Sequence, residues 1–234
     1  MKMVESAPPG RFTSRAAWTL GSLALLLAWD ASGLDLELAQ WFAGGQGFPL
    51  RDHWMLTTVL HQWPRALAWL FGLWLIAGLW WPTGVLRQLS RPARLQWVVS
   101  ALLALVLINV LKQSSQTSCP WDLAGFGGAS TYLSHWAWGR PDGGPGHCFP
   151  AGHASAGFAF VAGYFVLSPV SGRRAMQWLL GALAAGLALG LAQQLRGAHF
   201  MSHTLWTGWL CWTCAWAVDS TAVFAGTRTA RLAP

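Results

Sequence analysis

The sequence predicts an all-α integral membrane protein of six transmembrane helices, with an outward-facing site and an ordered outer loop, and three observations lead there. Of 234 residues, 54% are hydrophobic and only 10% charged, a balance too apolar for an ordinary soluble domain. The apolar residues gather into six runs: Ala16 to Trp29, Ala66 to Trp81, Leu95 to Val110, Ala151 to Val170, Met176 to Leu195 and Leu205 to Phe224. Basic residues alternate in density between the segments that join them.

The first two runs are shorter than the roughly 20 residues of an ideal span, and Leu60 to Arg65 can extend the second. A basic stretch before the first run and Ala31-Ser32-Gly33 after it resemble a signal peptide. Its removal would leave an odd number of spans with the same charge bias, so it reads as an uncleaved anchor. The whole of 1–234 reads as a single polytopic domain.

Orientation follows from the cations. Lys2, Arg11 and Arg15, then Arg87, Arg91 and Arg94, then Arg173 and Arg174, then Arg228 and Arg231 all fall on one side, which places both termini in the cytoplasm. The other side keeps Arg51, Arg65, Lys112, Arg140 and Arg196, and faces the periplasm of a bacterial-type inner membrane. The net charge of +7 is therefore a topology signal. Dispersed basic residues without a recognition module exclude a nucleic-acid partner. The 18 tryptophans, many at span ends, read as an aromatic belt at the headgroups, with Trp121, Trp136 and Trp138 set apart in the outer loop.

That loop, from about Gln113 to Cys148, carries glycine turns and reads as an ordered cap, and the Asp35 to Arg65 segment can hold a short interfacial helix. Cys119 and Cys148 bracket the loop and can pair in an oxidising compartment, closing about 30 residues and adding about 3 to 4 kcal/mol, with two free thiols as the alternative. Cys211 and Cys214 read as small buried residues of the last span.

Polar chemistry concentrates where loops meet spans. Lys112 ends one helix on the outer side, while Phe149-Pro150-Ala151-Gly152-His153 and Arg196-Gly197-Ala198-His199 open two others. Helix N-termini offer free N–H groups and positive dipole ends, so amides near Gly152 to Ala154 and Gly197 to His199 suit an anion, phosphate above all. Arg196, His199 and His203, spaced by three and four, are expected to share one face of the last helix. His53, His61 and His135 read as caps or interfacial residues.

These segments resemble the type 2 phosphatidic acid phosphatase family, whose membrane members have six helices and an outward-facing site built on K-x6-R-P, P-S-G-H and S-R-x5-H-x3-D. Here the first motif reads Lys112, six residues, Cys119-Pro120. The second reads Pro150-Ala151-Gly152-His153, and the third has His199 with Gln193 and His203 at the flanking positions. The resemblance covers roughly 112–208. It implies that His199 attacks phosphorus to form a phosphohistidine, that His153 protonates the leaving oxygen and later activates water, and that Lys112 neutralises phosphate oxygens. It implies no metal and no cofactor, and a phosphorylated membrane lipid in the bilayer as the partner.

Four positions depart from the pattern: Cys119 and Gln193 stand for arginines, Ala151 for serine and His203 for the carboxylate that orients the nucleophile. Gly152 still admits close backbone approach. Arg196 is expected to compensate for Gln193, Arg140 to stand in near Cys119, and His203 to orient His199, with Asp122 a more distant carboxylate. The leading expectation is a lipid phosphatase. The alternatives are a lipid phosphotransferase, a metal-binding protein using His147, His153, His199, His203 and the loop cysteines, and a non-catalytic lipid-phosphate binder.

Overall fold

The computed structural model describes the backbone of residues 9–232 and the side chains of residues 13–222. The orientation argued from Lys2, Arg11, Arg228 and Arg231 lies outside those side chains. Eight α-helices with shorter 3-10 and π pieces make up the described chain, and no strand occurs among the described residues.

Helix α1 (Pro9–Ser32) ends at Gly33, whose φ of 75° breaks the run and starts α2 (Leu34–Phe42). The two axes differ by 71°. A π-helix, Met55–Gln62, runs into α3 (Trp63–Ala77), with a proline in its first turn, where the missing N–H costs no hydrogen bond. Ser90 caps α4 (Arg91–Ser114) by accepting from Ala93 N–H, and Ser171 caps α7 (Gly172–Leu195) by accepting from Arg174 N–H. Between them, Gly152–Leu167 forms one apolar rod in which α5 (Ser155–Phe158) and α6 (Ala162–Leu167) alternate with tighter 3-10 turns. The last helix, α8, is Met201–Leu232.

All six apolar runs lie largely on helices. By length and apolarity α4 and α7 are each able to cross a membrane, and Thr13–Ser32 with Leu34–Phe42 pass together as one bent pair. Their outer surfaces suit lipid: Trp41 is 80% exposed, Leu25 76% and Trp81 75%, surface that water would leave costly and hydrocarbon would cover.

Small residues let the helices approach. A Cβ on Gly157 would lie 2.3 Å from Gly186 N, and one on Gly190 would lie 2.2 Å from Thr204 Cγ2, so α5 packs nearly backbone to backbone on α7 and α8 seats its Thr204 side chain on the Gly190 backbone. Fully buried Trp97 of α4 sits edge-on to Trp178 of α7 at 4.9 Å, and Trp178 donates to Phe160 O at 2.8 Å. Past the middle of α8, Asp219 pairs with Arg15 of α1 at 2.6 Å and accepts from Gln96 of α4 at 2.9 Å. His203 is 16 residues away on the same helix, roughly 24 Å along the axis, so the histidine end of α8 and this ion pair lie toward opposite faces of the bundle.

Candidate active site

Three separate elements bring Lys112, His153 and His199 together. Lys112 stands in the last turn of α4 and donates from Nζ to His147 O at 2.6 Å, while the His147 ring Nδ1 lies 3.3 Å from Lys112 O. His147 itself has φ 56°, a left-handed conformation uncommon for a side-chain-bearing residue. An ammonium has three N–H groups, so two remain for a ligand. The Lys112 stem packs on Gly152, where an added Cβ would meet Lys112 Cδ at 3.4 Å. His153 follows on the 3-10 turn that opens the Gly152–Leu167 rod, and its ring centroid is 6.3 Å from that of His199.

A disulfide ties these segments to one another. Cys119, in the place of the first motif's arginine, is bonded to Cys148, two residues before Pro150, with Cα atoms 5.1 Å apart. Cys148 Sγ is 3.5 Å from His199 Nδ1 and 3.0 Å from Ala198 O, so all three motif segments meet at this bridge. The two sulfurs and a His199 nitrogen lie within 4.8 Å of one another. Joined in a disulfide they are not thiolates, and the trio is no metal-ligand set in this oxidised state.

His199 is buried, in the turn between α7 and α8. Burial holds its imidazole well below the ordinary histidine value, and the Lys112, His203 and His153 charges push the same way, opposed by the Cys148 carbonyl. The ring is therefore neutral at pH 7, with a lone pair available. Nδ1 is turned to the disulfide, which leaves Nε2 for a ligand.

One expectation is corrected here. Arg196, His199 and His203 do not share a helical face, because Gly197 at φ 73° ends α7 and α8 begins only at Met201. Arg196 is the C-cap of α7, His199 belongs to the turn, and His203 lies in the first turn of α8. The amides expected to hold an anion near His199 are partly spent: Gly197 N–H donates to Gln194 O and Ala198 N–H to Gln193 O, both at 2.8 Å, closing the end of α7. A Cβ at Gly197 would fall 2.2 Å from Phe48 Cδ2, so this turn admits glycine for both conformation and space.

Arg196 donates from Nη1 to Gln193 Oε1 at 3.0 Å and from Nε to Arg51 O at 2.7 Å. Trp121 lies beneath it, its ring 5.7 Å from the Arg196 guanidinium and 4.5 Å from that of Arg51. Trp121 N–H donates to Gly197 O at 2.9 Å, fixing the outer loop to the α7–α8 turn. Arg140 is exposed on a separate turn, its backbone N–H donating to Ala137 O, and among the described residues its side chain pairs with no member of the site. Asp122 spends its carboxylate on Cys119 N–H at 3.3 Å.

His203 is buried, with its ring centroid 5.7 Å from that of His199 and its Nδ1 unpartnered. Ala151 N–H donates to His203 O at 3.1 Å and Thr207 Oγ1 to Ala151 O at 3.1 Å, so the start of α8 is stitched to the second motif.

Sequence reasoning missed several contributors. His61, on the π-helix, packs at a tilt against His153 with centroids 3.9 Å apart, in the kind of helix that often marks function. Asp35 of α2 caps α8, accepting from Ser202 N–H at 3.0 Å and from the Ser202 hydroxyl, at the positive end of the helix dipole. Asp30 and His135 form a buried pair, Oδ2 to Nε2 at 3.3 Å, beside His203. Asp35, in the first turn of α2, could have been read as a cap, but nothing in the sequence says that it caps α8.

No curated protein and no solved structure matches the chain. The family model described as the PAP2 superfamily matches residues 94–224, which takes in Lys112, the disulfide, both motif histidines and His203. With the match covering more than half of the chain and holding every one of the three converging motif segments, this protein belongs to the PAP2 superfamily.

Proposed function

We infer that this protein is a membrane lipid phosphatase acting through a phosphohistidine on His199, with six spans and its site on the periplasmic side. The observation that carries the reading is the meeting of Lys112, His153 and His199, drawn from three elements, around one disulfide. A cation and two imidazoles, one of them buried and neutral, form the minimum set for metal-independent phosphoryl transfer.

In this reading the phosphate lies between Lys112, Arg196 and the backbone at Gly152. His199 Nε2 donates its lone pair to phosphorus, and the P–O bond to the lipid breaks with its electron pair leaving on oxygen. His153 gives that oxygen a proton. Water then attacks phosphorus while His153 takes a proton from it, and the P–N pair returns to His199. A small cavity beside His199 is lined by Asp35, Leu38, Ala39, Phe42, Gln194, Phe200 and Met201, and the exposed apolar flanks of the helices around the site suit a substrate held in the bilayer.

The test is phosphate release by the full chain from short-chain phosphatidate, an isoprenyl phosphate and an isoprenyl diphosphate, with and without chelator, beside His199→Ala. Release by the wild type, insensitive to chelator and lost in His199→Ala, is expected. Equal release by both proteins removes His199 as nucleophile, and no release from any lipid removes the phosphatase reading.

A further inference from the structure

The family pattern places a carboxylate four residues after the nucleophile, and this chain places His203 there. When His199 bonds to phosphorus its ring takes on positive charge, which a neutral imidazole compensates poorly. A negative charge must reach the site from elsewhere.

The structure holds one in line. The side chains of Asp30, near the end of α1, and His135, in the outer loop, are each only 7% exposed, and they meet Oδ2 to Nε2 at 3.3 Å. Trp136 and Trp206 donate to the same oxygen at 3.0 and 2.9 Å, so the carboxylate is clamped, while its Oδ1 is buried without a partner. His135 lies flat on Phe149 at 4.2 Å and edge-on to His203 at 5.8 Å. His203 in turn is edge-on to His199 at 5.7 Å, and its Nδ1 is buried and unpartnered.

We propose that Asp30, acting through His135 and His203, supplies the charge and the ring orientation that the missing carboxylate supplies elsewhere in this superfamily, which makes all three positioning residues for His199. This rests on the phosphatase reading above. Asp30 fixes the proton of His135 on Nε2, and since the three rings meet edge to face with no hydrogen bond between them among the described residues, the carboxylate acts on His199 through its field and the packing of those rings. Burial lowers the His135 pKa while Asp30 and Asp35 raise it, which is the behaviour of an imidazole tuned by a fixed carboxylate. The charged and titratable groups facing the relay are Asp30 from α1, Asp35 from α2, Lys112 from α4, Tyr132 from the outer loop, and His199.

The experiment compares wild type, Asp30→Asn, His135→Gln and the double variant, all full chain in nanodiscs, with dioctanoyl phosphatidate as the probe. Each single change is expected to lower kcat about tenfold with KM within about twofold, and the double variant to lose no more than the worse single. In Asp30→Asn the acid limb of kcat should move to lower pH, because removing a negative charge makes the imidazoles harder to protonate. Unchanged kcat, or a lower kcat with the acid limb in place, overturns the relay and leaves the phosphatase reading intact. Should Asp30→Asn fail to fold, His135→Gln, which keeps a donor for Asp30, decides through its kcat-against-KM split. A wild type that releases no phosphate from this or the other lipid phosphates overturns both.

Discussion

His61 and His153 pack against each other at a tilt of 35° with ring centroids 3.9 Å apart, although the first comes from a π-helix and the second from the Gly152 turn. Burial and the Arg196 and Arg65 charges hold His61 below the ordinary histidine value, so it faces His153 as a neutral ring whose nitrogen can fix the position of His153 for proton transfer to a leaving oxygen. His61→Ala is expected to reduce kcat roughly tenfold with little change in KM. His61→Phe keeps a flat ring against His153 and should restore thermal stability but not the rate. A His61→Phe variant with wild-type kcat would show that only packing matters at this contact.

The Cys119–Cys148 bridge spans 29 residues of sequence and touches the nucleophile. Replacing both cysteines by serine should destabilise the chain by about 3 kcal/mol, as read from thermal or denaturant unfolding in detergent. It should also lower kcat, because His199 Nδ1 loses the surface it rests on. Dithiol treatment of the wild type is expected to reproduce both effects, and to leave the serine variant unchanged.

Gly197 has φ 73° and no room for a methyl group, since a Cβ would strike Phe48. Gly197→Ala should cost about 2 kcal/mol or more. The activity loss should exceed the stability loss, because this residue sets the angle between Arg196 and His199. Melting curves and kinetics on the same preparation separate the two.

Buried His199 and His135 both have folded-state pKa values below the ordinary 6.5. Above about pH 6.5 neither the folded nor the unfolded chain is protonated at these sites, and stability is full. As pH falls below that value the unfolded chain binds protons that the folded one refuses, so stability drops, by up to about 1.4 kcal/mol per pH unit for each histidine. Thermal melts between pH 7.5 and 5 should therefore decline steadily. A flat profile would mean that these rings take up protons in the folded protein as readily as in the unfolded chain.

Much of the bundle was legible in the sequence. The apolar runs and the motif segments at Lys112, His153 and His199 are local signals, written within a few turns of chain. The glycine after Arg196 was also readable as a helix stop, yet the three-and-four spacing of Arg196, His199 and His203 outweighed it and produced a single helical face that the φ of Gly197 forbids. Asp30, Asp35, His61 and His135 were beyond sequence reasoning for a different reason. Each reaches the site only because the chain bends at Gly33 and the outer loop folds over α8, and periodicity carries no information about such long-range approaches.

The central claim is that His199 carries phosphate during turnover. Rapid acid-free quenching of the protein with labelled dioctanoyl phosphatidate, followed by peptide mapping, tests it most directly. The expected result is base-stable, acid-labile phosphate on the His199 peptide, raised in amount by His153→Ala, which slows attack by water, and absent from His199→Ala. Label on another residue, or turnover with no labelled peptide under conditions where His153→Ala is slow, would contradict the account.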